Sequence, residues 1–295
     1  MKRLSVIIVT YNCFDLLEKC MESVYRYNDI GDSLEIIVVD NGDDGSYERI
    51  KTVPGFEGVI SFKHENTGYG AGNNAGAKIS EGEVLLFLNP DTEFIEPVFD
   101  FAIKKFDNDP DLGSFGVHLL DKDLQPAPSG GFRLHMGFWK VQGYRLLDKL
   151  GVFLPDRMFT CGADLFVRRD SFFECGAFDE NIFMYCEEAD ICNRLNSIGK
   201  HIAYFPEKSI IHSEGSTSAD SFPKKYSGVL KARKYYCAKY GIDFKREAKK
   251  ELSYCRMKAD ALKLLGKTEA SSAYYEVVDI LKNVISDYEP KNYDH

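Results

Sequence analysis

Three apolar runs, broken only by Ser5 and Glu35, set the pattern of the chain: Leu4-Ser-Val-Ile-Ile-Val-Thr10, Leu34-Glu-Ile-Ile-Val-Val39 and Val84-Leu-Leu-Phe-Leu88. A half-exposed strand alternates apolar and polar residues, so continuous runs read as strands buried on both faces, as in the parallel part of an α/β sheet. The first run is followed by turn residues Tyr11-Asn12 and an amphipathic stretch from Phe14 to Tyr27, for which Asn12 or Asp15 is the expected cap. The second run closes on Asp40-Asn41-Gly42, so strand, helix and strand form a βαβ unit with both strand ends on one edge. Thr10, Asn12, Asp40 and Asn41 are thereby expected to share a rim. The third run stops at Asn89-Pro90-Asp91, where Pro90 ends the ladder and leaves Asp91 just beyond a strand end. In open α/β sheets ligands bind in the crevice outside those ends.

Weaker elements fill the gaps. Val59 to Phe62 reads as a short strand, Val98 to Phe106 as a helix and Ser114 to Leu120 as a strand; Cys161 to Arg168 is another strand, and Phe172 to Cys175 a short helix. His201 to Phe205 is a strand that leads through Pro206 to Ser209–Ser216. Residues 121–159, with Pro126, Pro128, Gly130, Gly131 and the only tryptophan, are weakly periodic and read as a flexible insertion, a functional flap more than a scaffold element. Beyond Asp220 the period changes: Phe222 to Tyr240, Phe244 to Leu265 and Glu269 to Tyr288 all have helical spacing. Residues 1–220 therefore read as one α/β domain and 221–295 as a helical extension.

Composition alters this picture in two places. The net charge of −9 conceals an asymmetry, because Lys224 to Lys267 carries about fourteen Lys and Arg against four acids and is near +10, leaving the rest near −19. A nucleic-acid partner is not expected, since the strongly acidic remainder opposes a polyanion. The basic segment, interleaved with Tyr226, Tyr235, Tyr236 and Tyr240, suits either a solvated face or an anionic membrane surface, and the last helix suits a homodimer. No apolar run approaches the roughly 20 residues of a membrane span, and Ser5 to Thr10 is too short for a signal-peptide core, so a cytoplasmic location is expected. Eight scattered cysteines without a CxxC pair argue against a zinc site or disulfide framework.

Candidate chemistry gathers at strand ends and glycine-rich turns. Glu65 to Gly76 is a turn opening a helix whose backbone N–H groups suit phosphate, and Gly70-x-Gly72-x-x-Ala75 loosely meets a dinucleotide fingerprint, although that fingerprint belongs after a first strand. Glu187, Glu188 and Asp190 open a helix whose apolar face begins with Ile191 and Leu195. Three acids in four positions exceed what the helix dipole asks for, and their repulsion favours a raised pKa of the kind a general base needs. His212 follows a strand and, with an acid on another strand end, suits a divalent cation.

Taken together, Ser5-Val-Ile-Ile-Val-Thr-Tyr-Asn12, Ile37-Val-Val-Asp-Asn41, Asn66-Thr-Gly-Tyr-Gly-Ala-Gly-Asn73, Leu88-Asn-Pro-Asp-Thr92, Gly176-Ala-Phe-Asp-Glu180 and Tyr185-x-Glu-Glu-x-Asp190, followed by His212, resemble family 2 glycosyltransferases, most closely a rhamnosyltransferase-like bacterial branch that builds surface polysaccharides. The resemblance covers roughly residues 4–220. It implies the GT-A fold, a mostly parallel sheet flanked by helices, and inverting transfer of a sugar from a nucleotide donor to a hydroxyl of a glycan or lipid-linked acceptor, with dTDP-rhamnose the first guess and a UDP-hexose behind it. By position it assigns Thr10, Tyr11, Asn12 and Asp40 to the nucleotide, Asn66 and Asn73 to its border, and Asp91 to the last acid of a DxD motif that holds Mg²⁺ or Mn²⁺. Asn89 replaces the first acid of that motif, and His212 matches a third metal position. Glu188 is expected to be the base, ahead of Asp190 and then Glu187. A catalytically degenerate sugar-nucleotide or glycan-binding protein and a sugar nucleotidyltransferase are the alternatives.

Overall fold

The computed structural model describes residues 1–149, 152–213 and 222–288, with side chains described throughout except at residues 135 and 144–149. In chain order the elements are β1 (Leu4–Thr10), α1 (Phe14–Arg26), β2 (Leu34–Asp40), α2 (Ser46–Arg49), β3 (Ile60–Lys63), α3 (Tyr69–Ile79) and β4 (Val84–Leu88). These are followed by β5 (Thr92–Phe94), α4 (Phe99–Asn108), β6 (Leu112–Leu120), β7 (Gly130–Phe132), α5 (Phe138–Lys149), β8 (Met158–Thr160), β9 (Asp164–Arg168), α6 (Arg169–Glu174), α7 (Glu187–Ser197) and β10 (His201–His212), and then by α8 (Phe222–Lys239), α9 (Phe244–Leu264) and α10 (Thr268–Ser286). The described residues divide into two compact units. One comprises residues 1–131, 146–149, 152–183 and 187–213, and the other 132–145, 184–186 and 222–288. The boundary expected at 220–221 lies outside the described residues.

Every residue of β1, β2 and β4 is buried, which is why their sequences are largely apolar; of the polar exceptions within the runs, the Ser5 hydroxyl donates to Glu35 across β1 and β2. They lie in an eight-stranded sheet of order β3-β2-β1-β4-β9-β6-β10-β5. Four pairings are parallel and three, those of β9 with β4 and β6 and of β5 with β10, are antiparallel. The sheet is therefore mostly parallel, as expected, and flanked by helices. One face packs on α1 and α4 through Leu17, Met21, Phe99 and Phe106. The other packs on α3, α6 and α7, where Phe87 meets Phe172 and Phe178 at ring-centroid distances of 4.9 Å each.

Three local expectations are corrected. The residue before α1 is Cys13, with no side-chain cap; Asn12 instead takes a left-handed backbone (φ 52°) and its Oδ1 accepts the Asp43 N–H at 2.6 Å. That bond between neighbouring strand-end loops competes with capping and wins. The strand expected over 201–205 is longer: β10 continues past Pro206 to His212 through a bulge, the register passing from Phe205↔Val117 to Ser209↔His118. Pro206 sits in the bulge, where a missing N–H costs no ladder bond. Finally, the stretch 121–159 holds more regular structure than its weak periodicity suggests, including a two-stranded sheet of β7 and β8 and the helix α5. Strands of three residues are too short to show a period, and their pairing depends on glycine, since a Cβ on Gly131 would lie 2.4 Å from the Phe159 ring.

In the second unit α8, α9 and α10 pack through Leu230, Cys237, Phe244, Ala248, Cys255, Val277, Val278 and Leu281, with Leu134 against them. Asp243 caps α9 by accepting the Arg246 N–H at 2.9 Å. Tyr236, one of the aromatics expected on a lipid-facing surface, is fully buried, and Tyr226 packs onto the core. Residues 132–145 contribute to this unit: the Phe138 N–H donates to Glu247 at 2.6 Å, and the rings of Phe138 and Trp139 meet Tyr254. Among the described residues no helix is long and apolar enough to cross a membrane.

Candidate active site

The carboxyl ends of β1 and β2 are level, because the parallel register pairs Thr10 with Asp40. Asp40 is fully buried, and its two oxygens accept the N–H groups of Gly42 (2.8 Å) and Tyr47 (3.2 Å), so it shapes the loop after β2. Thr10 is buried with its hydroxyl 3.3 Å from Cys13 Sγ, while Tyr11 is 53% exposed. Asn41 extends the rim toward α3: its Nδ2 donates to the Gly68 carbonyl at 3.4 Å, and its Oδ1 lies 3.2 Å from His64 Nδ1.

The next strand end carries Asn89-Pro90-Asp91. The Asn89 N–H donates to the Ala163 carbonyl at 3.0 Å, and the Asn89 carbonyl accepts the Thr92 hydroxyl at 2.7 Å, which turns the chain into β5. β5 pairs with the end of β10 in the register Thr92↔His212, and the Ser213 N–H donates to the Asp91 carbonyl at 2.9 Å. This pairing, between residues 120 positions apart, sets Asp91 Oδ1 3.5 Å from His212 Nε2. Both side chains are largely buried, and Asp91 Oδ1 accepts no hydrogen bond. A buried carboxylate oxygen without a donor is costly, and one beside an imidazole could take a cation. Among the described residues no cluster of three or more His, Cys, Asp and Glu could hold a metal. The described residues thus offer one carboxylate and one imidazole, a donor set that could hold a Mg²⁺ or Mn²⁺ ion completed by phosphate oxygens, since such ions commonly bind through one or two carboxylates plus phosphate.

The acid cluster opens α7, after two residues with left-handed backbones, Tyr185 (φ 72°) and Cys186 (φ 70°). Strain of this kind is rare outside functional sites. The three acids face different surroundings. Asp190 is fully buried and its Oδ2 accepts Arg194 Nε at 2.8 Å, an i,i+4 ion pair on α7, while Arg194 Nη1 donates to the Cys175 carbonyl at 2.6 Å. Glu187 is buried with Oε2 unpartnered, and burial, then the charges of Glu188 and Asp190, push its carboxyl well above the usual range. Glu188 is half-buried. Burial raises its pKa, and the N–H groups of Glu188 itself and of Gly162 hold it back.

Gly162 is needed at that contact, because a Cβ there would lie 2.8 Å from Glu188 Cγ. Its carbonyl accepts the Tyr69 hydroxyl at 2.9 Å. Tyr69 is in turn fixed at the start of α3, where its N–H donates to the Phe183 carbonyl at 2.8 Å. Gly68 (φ 127°) makes that approach possible, since a Cβ there would lie 2.6 Å from the same carbonyl. Gly162 thus joins the two, its carbonyl bound to Tyr69 of the glycine-rich loop and its N–H to the acid at the head of α7.

Of the residues expected from the sequence, Asp91 with His212, and Thr10 with Asp40, are adjacent. Asn66 is exposed in the loop, whereas Asn73 is buried and its Nδ2 donates back to the Tyr69 carbonyl at 3.1 Å within α3. Asn74, not singled out in the sequence, clamps the Gly176–Glu180 turn by exchanging two 2.9 Å hydrogen bonds with the Phe178 backbone. Asp164 was also missed. It opens β9 opposite Leu88, and its Oδ2 accepts the Val117 N–H at 2.7 Å. Complete burial pushes its carboxyl well above the usual range. A polar residue at the head of an apolar strand was the available signal for Asp164, and an aromatic opening a glycine-rich helix the signal for Tyr69.

The model for "Glycosyl transferase family 2" matches residues 5–172. Among curated proteins the chain is 24% identical over 273 residues to rhamnosyltransferase WbbL of Escherichia coli, a match covering 80% of this chain and 93% of that one. It is 26% identical to the N-acetylglucosaminyl-diphospho-decaprenol L-rhamnosyltransferase of Mycobacterium tuberculosis, over 74% and 78% of the two chains. The match to O-antigen biosynthesis protein RfbC of Myxococcus xanthus, 28% identical over 53% of this chain, spans just 13% of that much longer protein. Among solved structures, mannosyltransferase PcManGT from Pyrobaculum calidifontis, in complex with GDP-Man and Mn²⁺, aligns over 97% of this chain and 88% of its own with TM-score 0.65 and 15% identity. Staphylococcus aureus TarS in complex with UDP aligns over 97% and 91% with TM-score 0.55 and 12% identity. These likenesses give the fold, which is the GT-A fold.

Proposed function

The chain belongs to glycosyl transferase family 2, and on that premise we propose that it transfers a sugar, with inversion, from a nucleotide donor to a hydroxyl of a glycan or lipid-linked acceptor in cell-surface polysaccharide synthesis. Rhamnose from dTDP-rhamnose is the favoured donor, with a UDP-hexose second, because two of the curated relatives are named rhamnosyltransferases. The observation that carries the reading is the half-buried, raised carboxyl of Glu188, braced by Gly162, the residue just before the Ala163 whose carbonyl accepts the Asn89 N–H.

In the proposed reaction Glu188 takes the proton of the acceptor hydroxyl as its oxygen bonds to the anomeric carbon. The bond from that carbon to the diphosphate oxygen breaks, and the diphosphate departs with the electron pair. A single in-line displacement inverts the centre and needs no enzyme nucleophile. A raised pKa suits this role, since a base close to the working pH holds the proton it gains while remaining ionised often enough to act. Asp190 we assign to positioning, because its Oδ2 is committed to Arg194. Glu187 is buried, and burial followed by the charges of Glu188 and Asp190 raises its pKa, so its protonated form is favoured beside Glu188.

Asp91 and His212 would hold the divalent cation, which when bound supplies Lewis-acid neutralisation of the leaving diphosphate. Exposed Tyr11 is positioned to stack on the nucleotide base, with Thr10, Asn12 and the Asp40-ordered loop forming the wall beside it. Asn89 and Asn66 border the phosphates. The test is release of nucleoside diphosphate from dTDP-rhamnose or UDP-hexoses in the presence of lipid-linked and free glycan acceptors. Acceptor-dependent release with the inverted linkage is expected. Binding of nucleotide without any transfer across the acceptor panel would favour a degenerate binding protein.

A further inference from the structure

The second unit ends α9 and starts α10 at a corner that is exposed from Lys263 to Ala270. Leu264 is 89% and Leu265 70% exposed, and Met257, seven residues before Leu264 and so on the same face of α9, is 58% exposed. None of them is required by the fold. α10 is anchored by Val277, Val278 and Leu281, and the corner is closed by Gly266 (φ 70°) and by backbone bonds from Leu265 to Ala261 and from Lys267 to Leu262. A single exposed leucine needs no explanation. Here three long apolar side chains gather at one corner, on a helix whose exposed positions also carry Lys245, Arg246, Lys249, Arg256 and Lys263, with Lys267 just beyond. The exposed acids at the corner are Asp260, which is engaged by the Tyr275 hydroxyl, and Glu269; farther along the two helices are Asp243, which caps α9, Glu276, and Asp279, which is paired with Lys282.

We propose that the α9–α10 corner docks this protein on an anionic lipid bilayer, with Leu264, Leu265 and Met257 entering the acyl boundary and the cations of α9 meeting headgroup phosphates. A bilayer surface is apolar below and anionic above, which matches an apolar tip set in a basic face. A second copy of the chain is a poorer occupant, because two such corners would bring like charges together. The docking surface lies in the helical unit and does not depend on the transferase reading.

The test is vesicle flotation of the full chain with phosphatidylcholine alone and with about 30% phosphatidylglycerol added. Binding to the anionic vesicles, weakened by salt and absent with neutral ones, is expected. The Leu264→Ser/Leu265→Ser variant should lose about tenfold or more in partitioning, on the scale of two withdrawn side chains, and Lys263→Glu/Lys267→Glu a similar factor. Both variants should keep the parent helical signal and nucleotide-induced thermal shift, since the residues touch neither core nor rim. Failure of the parent to bind anionic vesicles would overturn the proposal, as would equal binding by parent and leucine variant. So would concentration-dependent dimerisation that the leucine variant abolishes, because the corner would then be an interface between copies.

Discussion

The Tyr69 hydroxyl donates to the Gly162 carbonyl at 2.9 Å, and the N–H of the same glycine supports Glu188. Tyr69 touches no reacting atom in the proposed reaction and acts through that glycine, as a positioning residue. Tyr69→Phe keeps the ring and removes the hydrogen bond, so stability should fall by roughly 1 kcal/mol, the usual net worth of such a bond. Freeing the Gly162 carbonyl loosens that residue and so weakens its N–H as a donor that lowers the Glu188 pKa. The acidic limb of the kcat/KM profile should therefore move to higher pH, and kcat should fall about tenfold with acceptor KM little changed. A variant with an unmoved pH profile would leave Tyr69 with a packing role alone.

The three acids at the head of α7 should separate by phenotype. Glu188→Gln should bind donor as the parent does while transfer falls by about two orders of magnitude or more, the scale of losing a general base. Asp190→Ala should instead destabilise, by about 3 kcal/mol, because it strands the Arg194 guanidinium in a largely buried position. Thermal unfolding and single-turnover transfer measured on the same samples distinguish the two. If Glu188→Gln retains turnover, the base is another group.

Asp164 provides a pH test of stability. Its folded pKa is raised, so the folded state holds a proton that the unfolded chain has released once pH passes the ordinary carboxylate value. Its contribution to stability is complete below that value and is lost as pH rises through the folded pKa. Asp164→Asn has no such loss and keeps an acceptor for the Val117 N–H. The difference in Tm between variant and parent should shift in the variant's favour from about pH 5 to about pH 8. A constant difference would mean that the carboxyl is ionised in the fold.

How far the sequence reveals this architecture depends on the scale of each feature. β1, β2 and β4 were legible because burial on both faces leaves a continuous apolar signature, and α8 to α10 because eighteen or more residues give a period room to repeat. Asp91 and His212 were each legible as polar residues at strand ends, but their adjacency depends on the antiparallel pairing of β5 with β10, a long-range register that no local pattern encodes. Tyr69 and Asp164 were hidden for the same reason, since a tyrosine in a glycine-rich turn or an acid entering a strand acquires a role through a partner some 50 to 90 residues away. The pairing of β7 with β8 escaped because three-residue strands are set by what their glycines permit across the sheet.

The most direct measurement is a thermal-shift panel of dTDP, UDP, GDP and NAD, with and without Mn²⁺, on the parent and on Asp91→Ala. A ligand that binds the folded state raises Tm according to its concentration over Kd. The parent is expected to respond to dTDP or UDP, with a shift that grows when Mn²⁺ is present, and Asp91→Ala is expected to lose the metal-dependent part while keeping most of the rest. A shift with NAD alone, or a dTDP or UDP shift that is identical with and without Mn²⁺ in both proteins, would contradict the assignment of Asp91 and His212 to a cation that meets the donor diphosphate.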